Sequence, residues 1–115
     1  LENRPTLACG QQPSARNRPR LGEDCWFLTG PTAAGKSALA IPMARRLGAD
    51  IVSVDSMAVY QGLDVGTAKP STEDRTAVPH HCIDVVPPAH SFSVAEWLTL
   101  AAAAVEDCRA RGRRI

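Results

Sequence analysis

Apolar and polar positions along the first half of the chain predict two strands with a helix between them. The strands are two short apolar segments, Cys25 to Leu28 and the β-branched Asp50 to Val54. Between them, apolar residues recur at helical spacing from about Lys36 to Leu47, and Gly48 ends the helix. Pro42 lies inside it and removes one backbone hydrogen bond, so we expect a kink or a local loosening. A strand, a helix and a strand in this order predict a parallel pair with a right-handed crossover.

The second half of the pattern predicts two further helices and a third strand. Ser71 to Asp74 has the spacing of a capping box and predicts a short helix that ends near Ala77. His81 to Val86 is the candidate strand. Ser93 to Glu96 is a second capping box, and it begins the longest helix, which Gly112 ends. The apolar face of that helix contains Trp97, Leu98, Ala101, Ala104, Val105 and Cys108. Between the two halves, residues 56–70 lack periodicity and predict a functional loop.

The first apolar segment runs directly into a complete G-x-x-x-x-G-K-[ST] phosphate loop, which consists of Gly30, Pro31, Thr32, Ala33, Ala34, Gly35, Lys36 and Ser37. Its glycines let backbone N–H groups turn towards an anion, the lysine adds a positive charge, and the serine can bind Mg²⁺. The helix that follows directs the positive end of its dipole at the same anion. We therefore predict a diphosphate site. ATP is only one possible occupant, and a glycine-rich turn without a ligand is the alternative.

Asp55 follows the second predicted strand, and ligands of open α/β sheets bind at the carboxyl ends of strands. The phosphate loop follows the first strand, so we expect both to face one crevice. A carboxylate there can hold Mg²⁺ or accept a proton from a nucleophile. The alternative is a structural cap of a helix or loop.

The length of the chain limits how much of an α/β domain it can form. With 115 residues the chain could form one modest domain, whereas a three-layer α/β/α domain with a phosphate loop usually needs more. The chain begins at Leu1 and ends just after Gly112, where a new strand would be expected to start. We therefore expect residues 25–115 to be the N-terminal part of a phosphate-loop NTPase-like catalytic domain with a parallel sheet, incomplete and poorly stable by itself.

Charge and cysteine content narrow the class of protein. The net charge of +1 gives no global bias towards nucleic acid. Residues 1–24 contain arginines and prolines without apolar periodicity and predict a disordered basic leader. It either contacts RNA phosphates or is a solvated extension or a misassigned start. Four cysteines without C-x-x-C spacing argue against a zinc site and for reduced thiols. No apolar run approaches membrane-spanning length, so we expect a soluble, cytoplasmic protein.

Four sequence blocks, taken together and in order, resemble the tRNA dimethylallyltransferases (tRNA isopentenyltransferases). They are the phosphate loop at 30–37, Asp55-Ser56-Met57-Ala58-Val59-Tyr60, Gly66-Thr67-Ala68-Lys69-Pro70 and Val78-Pro79-His80-His81. The resemblance covers all of the chain except the leader. The phosphate loop is shared with many unrelated proteins, so the later blocks make the resemblance specific.

The resemblance implies transfer of a dimethylallyl group from dimethylallyl diphosphate to N6 of the tRNA adenosine that is 3′-adjacent to the anticodon. It implies that Thr32 to Ser37 contact the diphosphate, with Mg²⁺ near Ser37. It further implies that Asp55 is the general base and that Asp55, Ser56, Met57 and Ala58 contact the anticodon stem-loop. An adenine amine is a weak nucleophile that needs a proton acceptor, which agrees with these roles. We expect a monomer.

Two departures from the family pattern are visible. Ala58 stands where the family often has Gln, and Gln61 stands where it commonly has Arg. The family's later strands, its donor-contacting arginine and its tRNA-binding insertion would lie beyond Ile115, so we expect the 115-residue chain alone to be inactive.

Two other functions stay open: a small-molecule or nucleotide kinase that uses Asp55 to deprotonate a hydroxyl, and a non-catalytic nucleotide-binding module. The blocks at 55–60 and 66–70 favour the transferase, because a kinase has no evident need for them.

Three further positions have competing interpretations. His80 and His81 are adjacent, so on a strand they point to opposite faces and cannot bind one metal together, which favours a buried or loop-packing role. Lys69 is expected either to contact RNA phosphate or to be a solvated loop residue. Trp97 lies on the apolar helix face and is expected in the core rather than as a platform for a base.

Overall fold

A computed structural model of the protein describes residues 25–31, 35–63 and 69–115. Three predicted segments lie outside the described residues: the leader at 1–24, the phosphate-loop residues at 32–34, and residues 64–68, which include Gly66, Thr67 and Ala68. The elements in chain order are α1 (Lys36–Leu47), β1 (Ile51–Val52), α2 (Thr72–Ala77), β2 (His80–His81) and α3 (Val94–Ala110). The fold is α/β, with a small parallel sheet and helices.

Hydrogen bonds across the sheet give the order of its segments. β1 and β2 are parallel, with Ile51 opposite His80 and Val52 opposite His81. On the other side of β1, Ala49 forms a parallel bridge with Arg114. The Trp26 amide donates to the Ile115 carbonyl at 2.8 Å. Residues 113–115 therefore lie between the segment before the phosphate loop and β1. The sequence had predicted that these two segments pair with each other.

Two strand predictions are wrong in extent. Residues 25–28 are not a strand in the described structure, because one backbone bond to Ile115 does not make a ladder. The predicted strand His81 to Val86 ends at His81, since Cys82 (φ 62°) and Asp84 (φ 51°) adopt left-handed backbone angles that break an extended run. Val86 forms only an isolated bridge, to Tyr60.

The helix predictions are confirmed, because their signals are local. Ser71 and Asp74 form the reciprocal capping box of α2, and Ser93 and Glu96 form that of α3. Helix α1 continues through Pro42 and ends at Gly48, whose left-handed φ of 63° a glycine adopts at little cost. No helix in the described part of the chain is long and apolar enough to cross a bilayer.

The apolar core has two parts. Ala44, Ala49 and Val78 pack with Ile41, Leu47 and Ile51 between α1 and the sheet. The predicted inner face of α3 is buried at Ala101, Ala104, Val105 and Cys108, whereas Leu98 remains 42% exposed. Trp97 is half-buried and is not among the buried core residues, so the core interpretation holds only in part; its Nε1 donates to the Ser53 carbonyl at 2.9 Å. This bond holds the start of α3 near the carboxyl end of β1.

Candidate active site

The phosphate loop connects the segment at 25–31 to α1. Gly35 precedes the helix with φ 80°, a backbone angle that a side chain would strain, and its carbonyl accepts the first helical bond from the Leu39 amide at 3.2 Å. The first turn of α1 therefore presents its unbonded N–H groups at the loop. Lys36 Nζ lies between two loop carbonyls, donating to Gly30 and, at 3.2 Å, to Pro31. These contacts hold the ammonium group against the first two residues of the loop.

Asp55 follows β1 and caps the turn after it. Its Oδ1 accepts a hydrogen bond from the Met57 amide at 2.8 Å, and its own amide donates to Ser53 Oγ at 3.3 Å. Asp55 is exposed, and its Oδ2 accepts no hydrogen bond from the described residues. The capping interpretation thus holds for one carboxylate oxygen, while the other can face a substrate.

The residues predicted to contact tRNA divide into two groups. Asp55, Ser56 and Met57 are exposed. Ala58 is 3% exposed, and its carbonyl accepts from the Asp84 amide at 2.9 Å. The side chain of Ala58 therefore offers no accessible surface to RNA, whereas the other three do.

The predicted crevice between the phosphate loop and Asp55 stays a prediction. Asp55 follows β1 at the carboxyl end of the parallel pair, and the phosphate loop follows a segment that bonds to residue 115 through the Trp26 amide. Among the described residues, no hydrogen bond or ion pair joins Lys36 to Asp55, so the two groups are separate arms of the candidate site.

Both interpretations of Lys69 are wrong. Its side chain is 4% exposed and forms an ion pair with Asp84, at 2.6 Å from Nζ to Oδ1. Nζ also donates to the Tyr60 carbonyl at 2.6 Å, and Arg75 binds the second carboxylate oxygen of Asp84 at 2.8 Å. We call Asp84, Lys69 and Arg75 the Asp84 clamp. Sequence reasoning missed Asp84, although a polar residue inside a supposed apolar strand, of a type that tolerates left-handed angles, was a signal.

A second polar cluster surrounds Asp50, at the opposite end of β1, and we call it the Asp50 cluster. Asp50 is 2% exposed, and its carboxylate contacts His81, Cys108, Arg111 and Arg113. The Oδ2 atom lies 2.9 Å from His81 Nε2, 3.3 Å from Cys108 Sγ and 2.7 Å from the Arg111 guanidinium. Sequence reasoning missed this cluster because its members are far apart along the chain.

Burial and bonding set the protonation of the Asp50 cluster. Burial alone would raise the pKa of Asp50, but hydrogen bonds from Arg111, His81, Arg113 and Cys108 outweigh it and lower the pKa well below the usual range. Burial and the hydrogen bond to Asp50 raise the pKa of Cys108 to about 11. Cys108 is therefore a neutral thiol at physiological pH and a poor nucleophile.

Asp50, His81 and Cys108 bring together donor atoms of types that bind metals. The two guanidinium groups already supply the positive charge that a cation would bring, and both carboxylate oxygens are in use. The cluster is therefore structural. His80 is not part of it, and its Nδ1 lies 2.7 Å from the Val78 carbonyl, so the two adjacent histidines have different partners.

Comparison with known proteins agrees with the architecture. The family model described as IPP transferase matches residues 58–115, and the one described as isopentenyl transferase matches residues 23–80. The chain is 55% identical over 87 residues to the tRNA dimethylallyltransferase of Anaeromyxobacter dehalogenans (strain 2CP-C), covering 76% of this chain and 29% of that protein. The chain thus spans less than a third of the length of that relative.

Solved structures lead to the same group of proteins. The crystal structure of the tRNA isopentenylpyrophosphate transferase from Staphylococcus epidermidis has a TM-score of 0.69 and 46% identity, over 74% of this chain and 28% of that one. A eukaryotic dimethylallyltransferase, described as acting on tRNA, has a TM-score of 0.69 and 31% identity, over 73% of this chain and 21% of that one. Since the two family models together extend from residue 23 to residue 115, the chain belongs to the IPP transferase family.

Proposed function

We propose that this chain supplies the donor-binding part of a tRNA dimethylallyltransferase, which transfers a dimethylallyl group to N6 of the adenosine 3′-adjacent to the anticodon. The observation that carries the proposal is the 55% identity over 87 residues to an enzyme of that name. Because the chain spans 29% of that relative, we assign it only part of the catalytic apparatus, and propose that the rest belongs to a longer protein. A tRNA substrate also supports a cytoplasmic reaction.

We propose that the chain adopts the phosphate-loop NTPase-like form of the α/β fold, a parallel sheet with helices on both faces. The order of hydrogen-bonded segments supports this, because residues 113–115 lie between the segment before the loop and β1. Trp26 and Phe27 are 62% and 73% exposed, which is what an incompletely covered sheet would leave. Such sheets bind ligands at their carboxyl edge, where both arms of the candidate site lie.

Lys36 and the start of α1 would bind the diphosphate of dimethylallyl diphosphate. Lys36 Nζ now donates to neutral carbonyls of Gly30 and Pro31, and an anionic phosphate oxygen is a stronger acceptor. Negative charge grows on the diphosphate as the allylic C–O bond breaks. The ammonium group and the helix N–H groups therefore stabilise the departing group more than the bound donor.

The first turn of α1 fits a magnesium ion beside the diphosphate. Ser37 is exposed, and its hydroxyl makes no hydrogen bond to any described residue. An uncommitted hydroxyl oxygen is the hard ligand type that Mg²⁺ prefers, and the ion commonly keeps water and phosphate as its other ligands. When bound, Mg²⁺ would neutralise charge on the leaving diphosphate.

Asp55 would accept the proton from the adenine amine. Its Oδ1 is oriented by the Met57 amide, and its Oδ2 has no partner among the described residues. The amine loses its proton as the new C–N bond forms, so a carboxylate at hydrogen-bond distance lowers the barrier. The exposed Ser56 and Met57 beside it would contact the anticodon stem-loop.

The test is group transfer by the full-length protein. Unmodified tRNA is incubated with dimethylallyl diphosphate labelled in the prenyl group, and in parallel with ATP labelled in the γ-phosphate and candidate kinase substrates. We expect prenyl label on adenosine in tRNA, and none from the 115-residue chain alone. Label transfer only from ATP would favour the kinase, and transfer from neither would favour a binding module.

A further inference from the structure

The segment that follows the Asp55 turn is fastened to a second segment that is distant in sequence. The Asp84 amide donates to the Ala58 carbonyl at 2.9 Å, and the Val85 amide to the Val59 carbonyl at 2.8 Å. The Gln61 amide in turn donates to the Val86 carbonyl at 2.8 Å. Val59 is fully buried, so this contact excludes water. The far end of the Asp55 turn is therefore held by residues 84–86.

Asp84 uses all of its polar groups in this contact. Besides the amide bond to Ala58, its carbonyl accepts from Gln61 Nε2 at 3.1 Å. Its carboxylate accepts from Lys69 at 2.6 Å and from Arg75 at 2.8 Å. Its left-handed φ of 51° lets main-chain and side-chain groups act at once, and aspartate tolerates that angle better than most residues.

Lys69 connects the carboxylate to the same turn segment. Its side chain is 4% exposed, and Nζ donates to both Asp84 and the Tyr60 carbonyl at 2.6 Å. Burial alone would raise the pKa of Asp84, but Lys69 and Arg75 lower it, so the carboxylate is ionised at neutral pH. Charge-assisted bonds of this kind are stronger than neutral ones, so the segment is bound more firmly than its backbone contacts alone would bind it.

Asp55 has little else to hold it. It is exposed, and the described residues orient its side chain through one bond, from the Met57 amide. The position of Met57 depends on the turn, whose next residues Ala58 to Tyr60 are bound by the Asp84 clamp. A displacement of that anchor would move Met57, and with it the carboxylate.

We propose that Asp84 and Lys69 are positioning residues for Asp55, because together they fix the turn segment that aims the Asp55 carboxylate at the reacting amine. This inference rests on the proposed function. Neither residue touches the substrate. The pair acts through the backbone at 57–60, and an error of about 1 Å in the base can cost about 100-fold in rate.

Two variants remove the charge while they retain shape. Asp84→Asn keeps a residue that tolerates left-handed angles and loses the ion pairs. Lys69→Met keeps the length of the side chain and loses the ammonium group. Glu106→Gln is the control, since Glu106 is an exposed carboxylate on α3 that pairs with Arg109, away from the clamp.

The experiment is single-turnover prenyl transfer by the full-length protein, in which the complex of enzyme with unmodified tRNA is mixed with saturating dimethylallyl diphosphate. The amplitude measures the folded, active fraction, and the rate constant measures the chemistry. We expect the rate constant to fall about 10- to 100-fold in both clamp variants, with donor affinity unchanged and Glu106→Gln like the wild type. Amide hydrogen exchange at residues 58–61 should accelerate in the same two variants, which can be measured without activity.

The outcomes separate the two proposals. If the wild type transfers no prenyl group, the proposed function is overturned. If the wild type is active and both clamp variants lose amplitude but keep its rate constant, the pair is merely structural and the positioning role is overturned. If Asp84→Asn does not fold, Lys69→Met decides, because it leaves Asp84 paired with Arg75.

Discussion

The two ends of β1 carry aspartates in opposite surroundings. Asp50, just before the strand, is 2% exposed and is bonded by two arginines, a histidine and a thiol. Asp55, just beyond it, is exposed, and its carboxylate accepts one hydrogen bond among the described residues, from the Met57 backbone amide. Both residues adjoin the same short strand, yet only Asp55 retains an oxygen that a substrate can approach.

The difference teaches how a carboxylate is assigned to structure or to chemistry. A buried carboxylate that is bound on both oxygens by cations cannot accept a proton without breaking those bonds. An exposed carboxylate that is oriented by one amide can accept a proton on its other oxygen and keep the hydrogen bond to that amide. This contrast agrees with a structural role for Asp50 and with the role in the reaction that we propose for Asp55, and four experiments sharpen the comparison or test the proposed site around it.

The largest expected effect is on catalysis, from Asp55→Asn. The amide keeps an oxygen for the Met57 amide but cannot accept the proton, so turnover should fall about 100- to 10,000-fold. Thermal unfolding and tRNA affinity should change little. Steady-state prenyl transfer by the full-length protein measures turnover, calorimetry measures thermal unfolding, and titration with tRNA measures its affinity. Near-normal turnover would show that Asp55 is not the general base.

The complementary change at the other end of β1 is Asp50→Asn, which should cost stability and spare the chemistry. Removing one partner of a buried ion pair leaves the arginines uncompensated, and we expect a loss of about 3 kcal/mol. The estimate is at the lower end because Arg111 and Arg113 side chains are 40% and 34% exposed and can be hydrated. Urea unfolding measures the loss. Unchanged stability with a lower single-turnover rate constant would reverse the assignment of the two aspartates.

Lys36→Ala tests the other part of the candidate site, the phosphate loop. Loss of a charged hydrogen bond of about 1.5–3 kcal/mol predicts that donor affinity weakens about 10- to 150-fold, with stability close to wild type. Titration with dimethylallyl diphosphate measures the affinity. Wild-type donor binding would place the diphosphate elsewhere.

The smallest expected effect is the pH dependence of stability. The pKa values of Asp50 and Asp84 are lowered in the folded protein, so each contributes stability that is present above the pKa of an unfolded aspartate. As the pH falls below about 4, the unfolded chain binds protons first and stability decreases. Unfolding midpoints between pH 7 and pH 3 measure the decrease. Asp50→Asn should flatten the curve, and an unchanged slope would contradict the assignment of its carboxylate.

The parts of the fold that could be predicted from the sequence depend on neighbours a few residues away. The capping boxes of α2 and α3 join residues three positions apart, and Gly48 ends α1 through its own backbone angle. The phosphate loop is recognisable for the same reason, since its groups are consecutive in the chain. The sequence also placed Asp55 after a strand. It could not show whether the Asp55 carboxylate caps the following turn or is available to a substrate, because the bond from the Met57 amide is visible only in the structure.

Other features could not be predicted because distant residues create them. His81, Cys108, Arg111 and Arg113 lie 31, 58, 61 and 63 positions from Asp50, and no local spacing indicates their meeting. The burial of Lys69 depends on Asp84, whose left-handed angle also ended a strand that apolar patterning had extended to Val86.

By itself, the sequence determined the helices and their ends, the phosphate loop and the resemblance that the family comparison confirmed. The tertiary structure alone decided the order of the sheet, the burial of Ala58 and Lys69, and the contrast between the two aspartates. The physical reason is that short-range hydrogen bonds follow from the order of residues, whereas burial and the pairing of charges exist only once separate segments have packed together.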